Sequence, residues 1–532
     1  MGGGPAGSTA ATMLARAGWR VRLFERERFP REHIGESLLP ASMPLLEALG
    51  AMPAIERAGF VKKWGAVMVW GSGEEPWSWH FSETNRRYPH AYQVWRPQFD
   101  QILLDNSRAA GVEVREGCRV TEAQFDGETV TGLRYLDENG AEQLCRARFV
   151  VDASGQAGLL GRTLRLRRSD PYFRNLAAYG YYTGAAPLSE SERGNIFIES
   201  YEHGWCWAIP LHTGWTSVGF VVDSERGQEG IRRDGLEGFF KSQLAQARYT
   251  ADRLSAATLV SGPIVVRDWS YVSDEVAGDG YVLAGDAACF VDPLFSSGVH
   301  LALSAGVMAA AYVTSALRDP TLRAPAGQVY KELYYRQYGN FRELAKLFYA
   351  SNRSVESYFW EARRITGADE SLSPRQAFVQ AVAGQPPQGY ERVVLERGEA
   401  PAGFVEGVRA VERARAARGT HAAALLNGGE ALARIVPVLA EDARLERKPV
   451  LGEGEFVWGI VLSTPARPEG TPLSGLVARV VARIDGRCTV AELLESIAAE
   501  LPPQQVAHAL SSVLTAVRIL YTDGAIVELR AC

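Results

Sequence analysis

The start of the chain passes from glycine to alanine to alternating apolar positions. Residues 2–7 form a glycine-rich turn, and residues 8–17 form an alanine-rich run of helical periodicity that stops at Gly18. Residues 20–25 then show the alternation of a strand. The pattern predicts a turn, a helix and a strand, which is the order in which a doubly wound sheet begins.

Apolar positions further along predict a sheet-rich middle and one long buried helix. The predicted elements are strands in 64–70, a helix near Pro97, a β-rich return over 112–160, further strands over 177–222 and a strand at 281–284. The last strand leads directly into the apolar run 299–317. The two parts of the doubly wound sheet are therefore separated in sequence by a sheet-rich insertion.

The pattern changes again in the C-terminal third. Residues 371–449 are rich in Ala, Arg and Glu and predict helices, whereas residues 455–532 show a helix–helix–hairpin pattern. We expect an α/β protein with a doubly wound domain, an inserted β-sheet substrate module and a mainly helical C-terminal domain ending in a winged-helix-like unit. The expected boundaries are 1–365 for the core, with its module at about 177–275, then 366–454 for a helical connection and 455–532 for the terminal unit.

Composition excludes several classes of function. The chain has 532 residues, of which 46% are hydrophobic and 22% charged, so it can bury a sizeable core. A net charge of −5 provides no basic surface for nucleic acid. The six cysteines are scattered, with no CxxC and no Cys/His cluster, which argues against a metal site and a disulfide scaffold.

The apolar run 299–317 has the composition of a membrane span. It contains His300, Ser304 and Ser315, however, and these polar residues favour a buried core helix. At the start of the chain, glycines stand where a signal peptide has its charged and apolar regions. We expect a cytoplasmic protein without a membrane partner.

The glycine-rich turn matches the dinucleotide-binding pattern GxGxxG. Its glycines permit a tight turn, and the pyrophosphate sits at the positive end of the following helix. Glu25 lies 18 residues after Gly7, where a carboxylate can hold ribose hydroxyls. An ordinary glycine-rich turn is the alternative. The residues expected to contact the cofactor here are Gly2, Gly4, Pro5, Ala6, Gly7, Ser8 and Glu25.

One part of the dinucleotide motif is not visible in the sequence. A buried parallel strand normally precedes the glycines, and here Met1 already lies in the turn. A sheet without that strand would leave neighbouring backbone groups unpaired. We expect a strand of roughly five to ten residues, rich in Val and Ile, to be encoded upstream.

A second cofactor signal follows the strand 281–284. Asp286, in the sequence Gly285–Asp286–Ala287, is a short acid that can bind ribityl hydroxyls. Together with the N-terminal turn at this long spacing, it favours FAD over NAD. Arg96 is a further candidate for the flavin or its phosphates, with a solvated arginine at a helix start as the alternative.

Three sequence motifs resemble those of the flavin-dependent halogenases. Residues 205–210 read Trp–Cys–Trp–Ala–Ile–Pro, similar to the family's WxWxIP, and residues 290–298 match its second flavin motif through Phe290, Pro293, Ser296 and Gly298. Residues 29–38 resemble its flavin-side loop. The match covers about two-thirds of the chain, to Ile365, and the remainder resembles the extra domain of halogenases of chloramphenicol and chondramide biosynthesis.

The resemblance implies a mechanism and places residues in it. Reduced FAD from a separate flavin reductase, dioxygen and chloride would yield hypochlorous acid, with chloride held by the amides of Ser297 and Gly298. Lys63, in a stretch that matches Phe-x-x-Lys-x-Gly, would relay the halogen to the substrate, although the adjacent Lys62 and Lys63 alone would suggest solvated charge. The family's active-site wall corresponds to Trp205, Trp207, Ile209, Pro210, Phe290 and Pro293, with core packing as the plain alternative for the indoles.

Two further expectations concern substrate and flavin attachment. Phe295 stands where tryptophan halogenases carry a glutamate, which favours phenols, pyrroles or activated carbons, delivered on an acyl or peptidyl carrier protein. Asp268 resembles the aspartate that esterifies flavin in the chloramphenicol-type relative, and a strand-end carboxylate paired with Arg267 is the simpler interpretation.

Two other functions remain open at this stage. A single-component hydroxylase of the same fold would carry an Asp–Gly motif and a nicotinamide site, whereas this chain has Asp152–Ala153–Ser154–Gly155. A redox-sensing regulator would use the terminal unit to bind DNA. Residues 471–532 hold five Arg and Lys against six Asp and Glu, which is too balanced a charge to bind phosphates.

Overall fold

The computed structural model describes residues 1–70, 75–350, 374–384, 417–426, 432–464, 467–500, 503–522 and 524–531. Two compact units divide the chain. The first comprises Met1–Leu395 with Glu453–Glu455, and the second comprises Glu396–Gly452 with Phe456–Cys532.

The helices and strands of the first unit alternate in the way expected of an α/β protein. Its helices are α1 (Pro5–Arg16), α2 (Met43–Ala48), α3 (Met52–Arg57), α4 (Arg96–Ala109), α5 (Leu159–Thr163), α6 (Ser224–Leu244), α7 (Arg248–Leu254), α8 (Gly298–Arg318), α9 (Arg323–Ala350) and α10 (Pro374–Val382). Its strands are β1 (Arg22–Phe24), β2 (Val61–Lys63), β3 (Gly65–Val69), β4 (Trp77–His80), β5 (Ala91–Gln93), β6 (Glu113–Arg115), β7 (Arg119–Asp126), β8 (Thr129–Leu136), β9 (Glu142–Arg146), β10 (Val150–Asp152), β11 (Arg167–Thr183), β12 (Ile196–Tyr201), β13 (Gly204–Pro210), β14 (Thr216–Asp223), β15 (Thr258–Ser273), β16 (Ala277–Gly278), β17 (Tyr281–Leu283) and β18 (Cys289–Phe290).

The part of this unit that is expected to bind the cofactor contains two parallel strand pairs, one on either side of the N-terminus. Strand β1 pairs with β6, and β10 pairs with β17. Between the pairs, the Gly2 amide donates to Phe24 O at 2.8 Å and the Met1 amino group donates to Val151 O at 2.8 Å. A cavity of about 670 Å³ lies beside these residues, between β1, β10 and α1. This is the position at which a strand preceding the glycines would pair.

The inserted module is a sheet of eight strands in the order β18-β15-β11-β14-β13-β12-β3-β4. It is larger than the predicted module at 177–275, because β3 and β4 join one edge and β18 joins the other. Strand β12 pairs in parallel with β3, while the other pairs are antiparallel. The sheet therefore unites residues that flank the two flavin motifs in sequence.

Helix α8 forms the centre of the first unit. It is the one helix in the described part of the chain that is long and apolar enough to cross a membrane, and nearly all of that stretch is buried inside the structure. A helix that is apolar on every side is a core helix when it is surrounded by protein. Helix α8 packs against α1 and α9, and its burial confirms the prediction of a core helix.

The second unit has its own hydrophobic core. Its strands are β19 (Ile435–Leu439), β20 (Arg444–Leu451), β21 (Phe456–Thr464), β22 (Arg467–Leu473) and β23 (Ile526–Ala531), and its helices are α11 (Gly475–Arg483), α12 (Val490–Ala498) and α13 (Pro503–Thr522). Strands β19 and β20 lie within the 366–454 region, for which composition indicated helices. The α/β fold class is confirmed, and the winged-helix-like character of 455–532 stays a prediction.

Candidate active site

The glycine-rich turn is sterically closed to side chains. Gly2 has a φ of +93°, and a Cβ on it would lie 2.1 Å from Ala153 O. A Cβ on Gly7 would lie 1.9 Å from Gly2 O. Helix α1 begins immediately afterwards, with Gly4 as N-cap, Pro5 in the first turn and no side-chain cap. The free amides of that turn can bind a pyrophosphate.

Ser8 and Glu25 hold the turn in place. The Ser8 hydroxyl donates to Gly3 O at 2.8 Å, and the Glu25 carboxylate accepts from the Gly3 amide at 2.7 Å and the Glu27 amide at 2.9 Å. A carboxylate has about four acceptor positions. Glu25 can therefore support the turn and still accept from ribose hydroxyls, as the sequence analysis expected of it.

Asp286 lies in the turn after β17, close to two arginines. Desolvation raises the pKa of its carboxyl to about 6, against the opposing influence of Arg96 and Arg167. Arg96 is buried rather than solvated, and its guanidinium donates to both oxygens of Asp100 at 2.8 and 2.9 Å. The solvated-arginine alternative for Arg96 is thus wrong, because α4 begins inside the protein.

Two arginines that the sequence analysis did not select lie in this region. Nη2 of Arg31 is 3.3 Å from where a Cβ on Gly4 would stand, while its buried Nη1 has no hydrogen-bond partner within the described residues. Arg167 lies over the Tyr271 ring at 3.8 Å, and its buried Nε and Nη2 likewise lack partners there. The unsatisfied donors of Arg31 beside the glycine-rich turn and of Arg167 near Asp286 fit an anionic dinucleotide such as FAD.

The second flavin motif forms a turn that starts α8. The Asp292 carboxylate accepts from the Leu294 amide at 3.0 Å, and Ser296 adopts the left-handed conformation with a φ of +57°. Ser297 is the N-cap of α8 and makes no side-chain cap. A Cβ on Gly298 would meet no atom within 4 Å. The turn thus presents helix N-terminal amides beside open space, which suits a small anion.

Lys63 is buried, whereas Lys62 is exposed. Strand β2 turns Lys63 inward, where its Nζ donates to Leu38 O at 3.0 Å and lies 5.5 Å from the centre of the Phe81 ring. The absence of a carboxylate partner for Lys63 in the described part of the chain leaves burial as the dominant influence. Burial lowers the pKa of the Lys63 amine to about 7, so a large fraction of it is neutral at physiological pH.

The burial of Lys63 predicts a pH-dependent stability. Because its folded-state pKa is lowered from 10.5, folding is penalised below pH 7, and the penalty fades as pH rises towards 10.5. Lys63→Met should therefore raise the free energy of unfolding at neutral pH by about 1–3 kcal/mol, less any cost of the unpaired Leu38 carbonyl. Urea titrations at several pH values measure this gain. A gain that does not shrink between neutral and alkaline pH would contradict the assignment.

The loop before α2 joins Lys63 to the flavin side of the site. Arg96 donates to Ile34 O, Leu38 O accepts from Lys63, and between them Glu36 directs a buried carboxyl at the sheet. Glu36 accepts from the Tyr181 hydroxyl at 3.0 Å and the Ser217 hydroxyl at 3.2 Å. The sequence analysis missed Glu36, although it lies within the stretch 29–38 that resembles the flavin-side loop.

The indoles of β13 are buried and hydrogen-bonded. Trp205 Nε1 donates to the Tyr349 hydroxyl at 2.6 Å, and Trp207 Nε1 donates to the Ser217 hydroxyl at 3.4 Å. Both residues point to the same face of the sheet, 5.8 Å apart between ring centres. The structure thus gives each indole a fixed polar partner, and the role of the two indoles in an active-site wall stays a prediction.

The rest of the predicted wall lies in or next to the same sheet. Ile209 is buried at the end of β13, where Pro210 pairs with Thr216 of β14. Phe290 lies in β18 with its ring centre 6.3 Å from that of Tyr271, and Pro293 opens the turn before α8. These four residues stay predictions as wall residues.

The structure describes the side-chain contacts of Phe295 but only the backbone pairing of Asp268. The Phe295 ring packs edge-on against Phe348 at 5.1 Å, and Phe348 in turn stacks on Phe378 of α10 at 5.9 Å. The position therefore belongs to an aromatic cluster. Asp268 pairs through its backbone with Asn175 in the sheet, and its side chain lies outside the described part of the chain.

Two family models match the chain. The model described as tryptophan halogenase covers residues 83–400, and the one described as FAD dependent oxidoreductase covers residues 1–163. The chain is 39% identical over 368 residues to a tryptophan 2-halogenase of Chondromyces crocatus, covering 69% of this chain and 70% of that protein. It is 33% identical to a 1H-pyrrole-2-carbonyl-[peptidyl-carrier protein] chlorinase of Pseudomonas fluorescens, covering 68% and 85%.

Solved structures of flavin-dependent halogenases are also similar to this chain. The myxobacterial chondrochloren halogenase CndH matches with a TM-score of 0.64 and 38% identity, covering 74% of this chain and 89% of that one. The flavin-dependent halogenase CmlS matches with a TM-score of 0.67 and 29% identity, covering 97% and 94%. The similarity to CmlS thus extends over the second unit as well.

Proposed function

Because this chain belongs to the flavin-dependent halogenases, we propose that it chlorinates an electron-rich substrate with hypochlorous acid relayed by Lys63. As a member of that family it is an oxidoreductase that uses FAD and chloride. When bound, reduced FAD supplies the two electrons that the reaction with dioxygen and chloride requires. The turn at Gly2–Gly7, Glu25, Arg96 and Asp286 would hold it, with Arg31 and Arg167 as further anion-binding groups.

The buried, largely neutral amine of Lys63 carries the proposal. A protonated lysine has no lone pair, so it can neither form a chloramine nor accept a proton from hypochlorous acid. Burial without a carboxylate partner in the described residues keeps the amine neutral near pH 7 and available as a nucleophile. The exposed Lys62 has no such environment.

The chloride would bind at the start of α8. Ser297 and Gly298 present free amides there, no acidic residue occupies the first turn, and the space beside Gly298 is open. A helix N-terminus favours an anion by about 0.3–1 kcal/mol, and burial strengthens the effect. Phe290, Pro293 and the two indoles would keep the substrate away from the flavin.

We further propose that the substrate arrives on a carrier protein and that a separate reductase supplies reduced flavin. Phe295 provides no charge for a free amino acid, and one relative acts, by its name, on a pyrrole carried by a peptidyl carrier protein. The second unit, with its own core, would offer a docking surface.

The test presents one candidate acid in three forms: free, as a short thioester and loaded on its carrier protein. With FAD, a flavin reductase, NADH and chloride, mass spectrometry should find chlorinated product chiefly on the carrier, at least about tenfold faster than on the free acid. Omitting chloride is the control for halogenation itself. Faster chlorination of the free acid would refute carrier delivery, and the absence of product in every form would refute the activity for that substrate class.

A further inference from the structure

Glu36 is a buried carboxyl to which the chemistry described so far gives no role. It accepts hydrogen bonds from Tyr181 and Ser217, and Ser217 in turn accepts from Trp207. No cation forms an ion pair with it within the described residues, since the neighbouring Arg96 is engaged by Asp100 and by carbonyls of the loop. Burial without an ion-pair partner favours the neutral form of a carboxyl, and the two hydroxyl donors offset this effect only in part.

The residue before Glu36 lies beside the proposed chloride turn. A Cβ on Gly35 would lie 3.9 Å from Cγ2 of Val299, the residue that follows Gly298 in α8, and 2.9 Å from Nη1 of Arg96, whose charge offsets part of any nearby negative charge. A chloride at the start of α8 and an ionised Glu36 would thus be two negative charges in one poorly solvated region. Their repulsion is weakly screened there, so one charge disfavours the other.

Chlorination also consumes one proton for each chloride. The balanced reaction is RH + Cl⁻ + H⁺ + O₂ + FADH₂ → RCl + 2 H₂O + FAD. The carbon–hydrogen bond of the substrate is replaced by carbon–chlorine, the substrate and FADH₂ each lose two electrons, and dioxygen takes up all four. A site that admits chloride together with a proton therefore brings in two reactants without net charge.

We propose that Glu36 is the proton-holding group of the halide site, so that chloride binds with a proton and is repelled when Glu36 ionises. This rests on the chloride site proposed above at Ser297 and Gly298. Burial raises the pKa of Glu36 to about 7, which places its ionisation in the physiological range.

The other charged and titratable groups around Glu36 do not titrate near neutral pH. They are Arg96 from α4, Tyr179 and Tyr181 from β11, and Glu32 and His33 from its own loop. Burial raises the pKa of both tyrosines far above neutrality and lowers that of His33 to about 4. Two other buried acids compete with Glu36: Asp286, which shares Arg96 as a neighbour and has a pKa of about 6, and Asp292 in the turn before α8, whose pKa burial also raises. A Glu36 variant separates Glu36 from both.

The experiment titrates the FAD-loaded protein with chloride and follows the flavin absorbance, at constant ionic strength with gluconate. For the wild type, the apparent Kd for chloride should rise roughly tenfold between about pH 6 and about pH 8. Glu36→Gln, which keeps the size and shape of the side chain and one acceptor oxygen and cannot ionise, should bind chloride with little dependence on pH. In weak buffer with an indicator dye, chloride should draw protons into the wild type near pH 7.5 and not into Glu36→Gln.

Tyr181→Phe provides a second test that keeps the carboxyl. The Tyr181 hydroxyl stabilises the ionised form of Glu36, so its loss should move the midpoint of the chloride titration to higher pH. A pH-independent Kd in the wild type, or the same pH dependence in Glu36→Gln, overturns the role of Glu36. If chloride does not perturb the flavin of any variant at any pH, the halide site itself is wrong, and the role of Glu36 fails with it.

Discussion

Lys63→Ala should lower the rate of chlorination by roughly a hundredfold or more while flavin oxidation continues. The buried amine of Lys63, which donates to Leu38 O and is neutral in a large fraction near pH 7, is the proposed relay, and its removal leaves hypochlorous acid without a partner. The reducing equivalents should then appear as hydrogen peroxide or free hypochlorous acid. The measurements are chlorinated product by mass spectrometry and peroxide in the same reaction.

Two variants make this result specific. Lys62→Ala removes the exposed neighbour on the same strand and should leave product formation within about twofold of wild type. Lys63→Met fills the same volume without an amine and should behave like Lys63→Ala, which separates the chemistry from a cavity effect. Substantial product from Lys63→Met would refute the relay, and equal losses in the Lys62 variant would point to surface charge instead.

The second large effect concerns flavin retention. Gly7→Ala should give protein that does not retain FAD, because its Cβ would stand 1.9 Å from Gly2 O and force the pyrophosphate turn apart. A contact of that length involves backbone on both sides and cannot be relieved by a side-chain rotation. The measurement is the ratio of flavin to protein absorbance after gel filtration, followed by titration with FAD.

A glycine outside the turn serves as the control. A Cβ on Gly339, in α9, would meet no atom of the described residues within 4 Å. Gly339→Ala should therefore leave FAD binding close to that of the wild type. Comparable flavin content in wild type and Gly7→Ala, with both folded by circular dichroism, would show that the turn is not the pyrophosphate site.

The pH profile of chlorination combines two of these residues. Neutral Lys63 is favoured above about pH 7 and protonated Glu36 below about pH 7. The rate should thus pass through a maximum near neutrality. The rate falls on the alkaline side because chloride binding weakens, and it falls on the acid side because Lys63 becomes protonated. Excess chloride should therefore reduce the fall on the alkaline side and leave the acid side unchanged.

Local sequence alone determined the elements on which the cofactor turn depends. A glycine run followed by an alanine-rich periodic stretch can form little besides a tight turn and a helix, and α1 begins three residues before the predicted start because Pro5 is well suited to a first helical turn. The apolar run 299–317, with the polar residues His300, Ser304 and Ser315 within it, likewise predicted α8 as a buried helix. The resemblance of sequence motifs to those of the flavin-dependent halogenases then selected Lys63, Ser297 and Gly298 as candidates, as well as the wall residues.

Composition misled where local propensity and tertiary pairing disagree. Residues 435–451 lie within or next to a segment rich in Ala, Arg and Glu, residues that favour helices. They nevertheless contain the strands β19 and β20. Strand β19 pairs with β23, which lies at the far end of the chain, and β20 pairs with β21. A strand takes its stability from its partners, so no window of local sequence contains that information.

Only the tertiary structure decided which of these side chains are chemically unusual. Lys62 and Lys63 are the same residue type one position apart, and the pKa of Lys63 falls because β2 turns it into a dry region beneath the loop carbonyl of Leu38. The pKa of Glu36 is raised because the fold buries its carboxyl without an ion-pair partner in the described residues, and the hydroxyls of Tyr181 and Ser217, more than a hundred residues away, offset only part of that rise. Protonation state depends on burial and on neighbours in space, and both arise from the packing of distant segments.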